Sequence, residues 1–270
     1  MHRSVFALML RRKLPKMLVV FACTLVFGLL LFWGVGKRMA VKQAEHNELV
    51  EELEMQGAHM DGSRIEYTFY SGWCPVVLTI LCLACVMGCT AVCILLPTLS
   101  KSKTEYTLDR LRIGKRHVFL WDCLTNAILF LMMWLVLIVL IYAAGRIFQS
   151  LPDYSQGKQG ISTAILLNRV YCGLVPIWFP ILWVRNVIYY TCYGILCACF
   201  LRCGKSSERG WIAIWFGLIL ISVPFFYARP GRIQAIVCFV LVLTVTAFTF
   251  LASLKMLNER NGKEGKDDAE

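Results

Sequence analysis

Apolar residues in this chain are gathered into long blocks separated by short polar stretches, instead of being spaced at helical period through a charged background. Blocks at 17–36, 74–97, 118–143, 211–227 and 233–254 are long enough, at roughly 1.5 Å per residue, to cross a hydrocarbon core of about 30 Å. The stretch from Ile161 to Leu201 is also apolar, but Asn168, Arg169, Pro176, Pro180, Arg185 and Asn186 interrupt it. An arginine at the bilayer centre costs about 2.5 to 3.5 kcal/mol on insertion scales, so Arg185 is expected at a boundary, beside Trp183. That places a span over 182–201 and leaves 161–181 as a broken, semi-buried segment on the outer side. The pattern predicts an all-α integral membrane protein: one transmembrane domain, residues 1–270, with six spans.

Between the blocks the polar stretches have distinct characters. Residues 1–16 carry Arg3, Arg11, Arg12, Lys13 and Lys16 and no acid, with Val5, Phe6, Met9, Leu10 and Leu14 among them. They predict a basic helix lying against the inner leaflet and stopped near Pro15. The block that follows is too long for a cleaved signal and ends in Phe32 and Trp33, an aromatic boundary, so it reads as an uncleaved first span. Residues 37–73 form the longest extramembrane loop and hold seven acids. Within it, 41–56 has helical composition that extends or follows the first span, and Ile65, Tyr67 and Phe69 alternate with polar neighbours as in a short strand. Residues 255–270 are expected to be a cytoplasmic tail, charged and mobile from Glu259 to Glu270.

Composition agrees with a bilayer. With 58% hydrophobic and 17% charged residues, a water-soluble fold of this size is excluded, and so is disorder. The net charge of +11 does not point to nucleic acid, because the basic residues cluster at the ends of apolar blocks. The amino terminus, loops 98–117 and 202–210, and the tail together hold 18 Lys and Arg, against 10 elsewhere, which predicts cytoplasmic termini. Most of the 13 cysteines fall inside apolar blocks and read as small packing residues. Cys82, Cys85, Cys89 and Cys93 form one stripe of the second span, which leaves a soft-metal path as a minor alternative to packing. Cys74 and Cys172 lie on the outer side, where they would be able to pair.

The most informative segment is the loop between spans two and three. Ser102 and Glu105 stand in a capping-box arrangement just beyond Pro97, predicting a short helix with Leu108 and Leu111 on one face and a charged rim. Such a surface suits the groove of a soluble partner; the plain alternative is a solvated basic flank. In span three, Asp122 and Asn126 share a face near the inner end. They mark either a polar pathway or an interfacial pairing with Lys115 or Arg116, and the pairing is the favoured reading.

The run Glu105, Thr107, Leu108, Leu111, Ile113 and Arg116, in a six-span layout with a basic amino-terminal segment, resembles the membrane subunits of type 2 ABC exporters. The resemblance is greatest from Ser100 to about Gly145. It implies a permease subunit that is not itself an enzyme. The loop helix would be the coupling helix, with Glu105, Thr107, Leu108, Arg110, Leu111 and Arg116 meeting a separate ABC ATPase subunit that carries ATP and Mg2+. A second membrane subunit, identical or a sibling, would complete the pathway, in the plasma membrane of a bacterium. Family members often have proline where Arg112 stands, and serine or threonine near Gly114. The only phosphate-loop candidate, Gly204-Lys205-Ser206, has Cys199 where its partner glycine belongs, so no nucleotide loop is present in this chain. No resident cofactor, metal set or nucleophile-and-base set emerges. The alternatives are a stand-alone polytopic protein, sensor or intramembrane enzyme, and a soft-metal carrier.

Overall fold

A computed structural model describes residues 2–55, 74–99, 114–150, 161–177, 180–202 and 233–267. All regular structure among these residues is helical: α1 (His2–Met55), α2 (Cys74–Leu99), α3 (Lys115–Gln149), α4 (Ile161–Leu167), α5 (Arg169–Leu174), α6 (Pro180–Arg202) and α7 (Ile233–Asp267). Four helical stretches are long and apolar enough to cross a membrane: Phe6–Glu52, Cys74–Ile94, Lys115–Gln149 and Pro180–Leu201. A shorter apolar stretch in α7 covers Phe239–Lys255, overlapping most of the expected span 233–254. The expected span at 211–227, the strand pattern near 65–70 and the loop helix at 102–111, with Glu105, Thr107, Leu108, Arg110 and Leu111, lie outside the described residues.

Two expectations are corrected and a third is met. First, α1 is one helix of 54 residues that runs straight through Pro15, so residues 2–16 are not a separate helix stopped near that proline. Proline removes one backbone donor and crowds the preceding turn. The helix persists because its side chains are held on both sides of Pro15: Met9 packs with Val118 and Trp121, Phe6 meets Trp121 at 5.5 Å between ring centres, and Met17 enters the main core. Second, the region read as a mobile tail is helical as far as Asp267. The helix expected over 41–56 is present as an extension of the first span, since α1 continues to Met55.

The core forms where α3 is surrounded. It packs against α6 and α1 most extensively, and also against α2, α4, α5 and α7. Leu129, Phe130, Met133, Leu137, Leu140, Ile141 and Ala144 of α3 are buried in it. At the α3–α6 crossing the helices touch backbone to side-chain position: a Cβ added at Gly194 would lie 2.4 Å from the Ala127 nitrogen. Close approach of this kind requires a residue with no side chain, since lipid supplies no hydrophobic drive between helices and tight packing must do so.

The interrupted stretch folds as two short helices pinned to the bundle by side-chain hydrogen bonds. Asn168 caps α5 by accepting from the Val170 N–H. Trp134 Nε1 donates to the Leu174 carbonyl at 2.9 Å, and Trp183 Nε1 donates to that of Pro176 at 2.7 Å. Arg185, in the second turn of α6, donates to Gly173 O at 3.2 Å and to Asn186 Oδ1 at 2.9 Å. Backbone and side-chain polar groups packed against apolar helices need protein partners, and these contacts supply them.

Candidate functional site

The cysteine stripe of α2 faces inward. Cys82, Cys85, Cys89 and Cys93 are buried in the main core, as are Cys192 and Cys197 of α6. All the described cysteines are free thiols, Cys74 and Cys172 included. Among the described residues no three His, Cys, Asp or Glu side chains converge as a metal site. Buried in the core, the stripe packs α2 against its neighbours, its small polarizable groups letting the helices approach.

Polar chemistry gathers instead at one end of the bundle, near the start of α3. Lys13, Asp122 and Asn126 are 6%, 3% and 0% exposed. The Lys13 ammonium donates to Asp122 Oδ1 at 2.5 Å and to Asn126 Oδ1 at 2.6 Å, tying α1 to α3 across 109 and 113 residues of sequence. Asp122 and Asn126 are one helical turn apart on α3, so both face α1 together. The Asp122 carboxylate is thus paired with Lys13, and the expected pairing with Lys115 or Arg116 is not what forms. Lys115 and Arg116 stand exposed in the first turn of α3.

The arrangement is incomplete in an informative way. Among the described residues, Asp122 Oδ2 and Asn126 Nδ2 are buried and lack a hydrogen-bond partner. One is an acceptor and the other a donor. Buried polar groups left unmatched cost about 1–3 kcal/mol each, so the pair suits a small group able to give and take a hydrogen bond, such as water or a hydroxyl. Cys93 and Cys197 lie close enough to feel the charges of Lys13 and Asp122, so the site sits where α1, α2, α3 and α6 meet.

Sequence reasoning nominated Asp122 and Asn126 but placed Lys13 in a basic helix lying against the inner leaflet. A signal for Lys13 exists. Met9, Lys13, Met17, Phe21, Thr24 and Phe32 are all buried and fall on one face at steps of three, four or eight. A lone lysine on the apolar stripe of a helix requires an internal partner or access to the membrane surface. No protein-family model, curated protein or solved structure matches the chain.

Proposed function

We propose that this chain is the permease subunit of an ATP-binding cassette exporter, seated by its coupling loop on a separate ATPase subunit that binds ATP and Mg2+. Both termini would face the cytoplasm, and a second membrane subunit would complete the pathway. The observation that carries the reading is the place of α3. Arg116, the last residue of the run that resembles a coupling helix, stands exposed in the first turn of α3. That helix is the one on which α1, α2, α6 and α7 all pack. A force applied to the loop at 100–113 would reach the core along α3, the helix that continues the run. Its first effect would fall on Asp122 and Asn126, about two turns along α3 from Arg116, and so on their bonds to Lys13.

Purification of the chain from its native membrane in mild detergent, with identification of what accompanies it, tests this. A stoichiometric ATPase that is lost on Leu108→Asp, while the permease stays monodisperse, supports the proposal. A chain that is fully active without any ATPase refutes it. For topology, a cysteine introduced at Ser102 should be labelled by an impermeant reagent only after the cells are permeabilised.

A further inference from the structure

At the far end of α1 from Lys13, a cleft of about 730 Å3 lies between α1 and the amino end of α2, lined by Val35, Lys37, Arg38, Met39, Val41, Lys42, Glu45 and Val77. We propose that this cleft binds the phosphate-bearing headgroup of an anionic phospholipid. Its volume is within the range of small-molecule sites, and its lining carries three cations against one carboxylate. Among the described residues, Lys37, Arg38 and Lys42 form no ion pair. The amino end of α2, the positive end of a 26-residue helix, borders the cleft through Val77 and adds to its preference for an anion.

The helix face that leads to the cleft selects an amphiphile over a free anion. Phe27, Leu31, Val35, Arg38, Lys42 and Glu45 follow one another at steps of three or four, so they form one continuous stripe along α1. Its lower part is apolar and open, with Phe27 and Leu31 exposed, and its upper part is charged. An acyl chain lying on the lower part would bring its headgroup to Arg38 and Lys42. On another face of α1, at the height where the stripe turns from apolar to charged, Trp33 stands with the Lys37 ammonium 4.1 Å from its ring centre, as an aromatic residue does at a water boundary. This cleft is far from the loop proposed to seat the ATPase, so its ligand is independent of that assignment.

Native mass spectrometry of the full-length chain in mild detergent decides the matter, with dioleoylphosphatidylglycerol and dioleoylphosphatidylcholine added separately. The anionic lipid should be retained in preference. Each cation near a membrane surface contributes about fivefold in affinity, so Arg38→Gln with Lys42→Gln should weaken retention about 25-fold. Glu45→Gln should strengthen it about fivefold, a gain that a misfolded variant cannot produce. Arg11→Gln with Arg12→Gln, at the other end of α1, should leave retention unchanged. Equal retention of the two lipids overturns the proposal, as does a double variant that holds phosphatidylglycerol as well as the parent. Displacement of the lipid by millimolar inorganic phosphate overturns it too, since the site would then recognise the free anion.

Discussion

Replacing Lys13 with methionine should be among the most destabilising single changes in the chain, although the substitution looks harmless on a hydropathy plot. Methionine fills similar volume and removes a charge from a buried position. What it leaves behind is the Asp122 carboxylate, 3% exposed, whose second oxygen is already unmatched among the described residues. Removing one partner of a buried pair costs about 3–5 kcal/mol, because the remaining charge is stranded. Asp122→Asn should cost less, since a lysine has a long stem along which its ammonium can reach toward the membrane surface, and Asn126 Oδ1 still accepts from it. Lys13→Met combined with Asp122→Leu should recover most of the loss, because no charge is then left without a partner and apolar replacements of buried pairs are often neutral or stabilising. The midpoint of SDS-induced unfolding in mixed micelles, measured for the parent, Lys13→Met, Asp122→Leu and the double variant, gives the coupling energy by a double-mutant cycle. A Lys13→Met protein within about 1 kcal/mol of the parent would refute the reasoning, as would a double variant no more stable than the worse single one.

Other expectations follow from specific contacts. Gly194→Leu should separate α3 from α6 and cost about 3 kcal/mol or more, read as the same unfolding midpoint, because even a Cβ would meet the Ala127 backbone. Trp134→Phe keeps an aromatic ring between Trp183 and Tyr190 but removes the donor to Leu174 O, so about 1–2 kcal/mol should be lost and the segment around Leu174 should become more open to proteolysis. Burial pushes the Cys172 thiol up, with Arg185 partly opposing the rise. The thiolate is the reactive form, so alkylation of Cys172 near pH 8 should be slower than that of an exposed thiol and should rise with pH; Arg185→Gln should slow it further. Peptide mapping of the labelled protein reads both effects.

How far the sequence foretold the fold depended on which physical signal each element carries. Long apolar blocks announce themselves by length alone, and α2, α3 and α6 lie where the pattern put them. The segment 161–181 was legible as broken because Asn168 and Pro176 punctuate it, and the structure folds it as α4, α5 and a turn. The continuity of α1 was not legible, because local rules weigh Pro15 and cannot weigh Val118, Trp121 and Asp122, which hold the helix on its amino-terminal side from more than a hundred residues away. Tertiary contacts of this kind override a local breaker. Lys13 was hidden by company: with Arg11, Arg12 and Lys16 nearby it looked like one more flanking charge, and only its four-residue spacing from Met9 and Met17 set it apart.

That spacing bears on mechanism as well as on stability. Arg11 and Arg12 are adjacent in sequence to Lys13 but occupy different faces of α1, so only Lys13 reaches the core. Its ammonium is a charged link between α1 and α3. Movement of α3 along its axis by a single turn, about 5.4 Å, would carry Asp122 out of reach and bring the neighbouring turn opposite Lys13. On that turn Asn126 offers a neutral acceptor in place of a carboxylate. Such a displacement would break the charge pair and leave only the weaker bond to Asn126, which Lys13 already makes. Asp122→Asn makes the two positions chemically alike, so in an ATPase-coupled preparation it should leave nucleotide hydrolysis running while abolishing its dependence on transported cargo. Hydrolysis that remains fully cargo-dependent in Asp122→Asn would show that the pair holds the fold without taking part in the stroke.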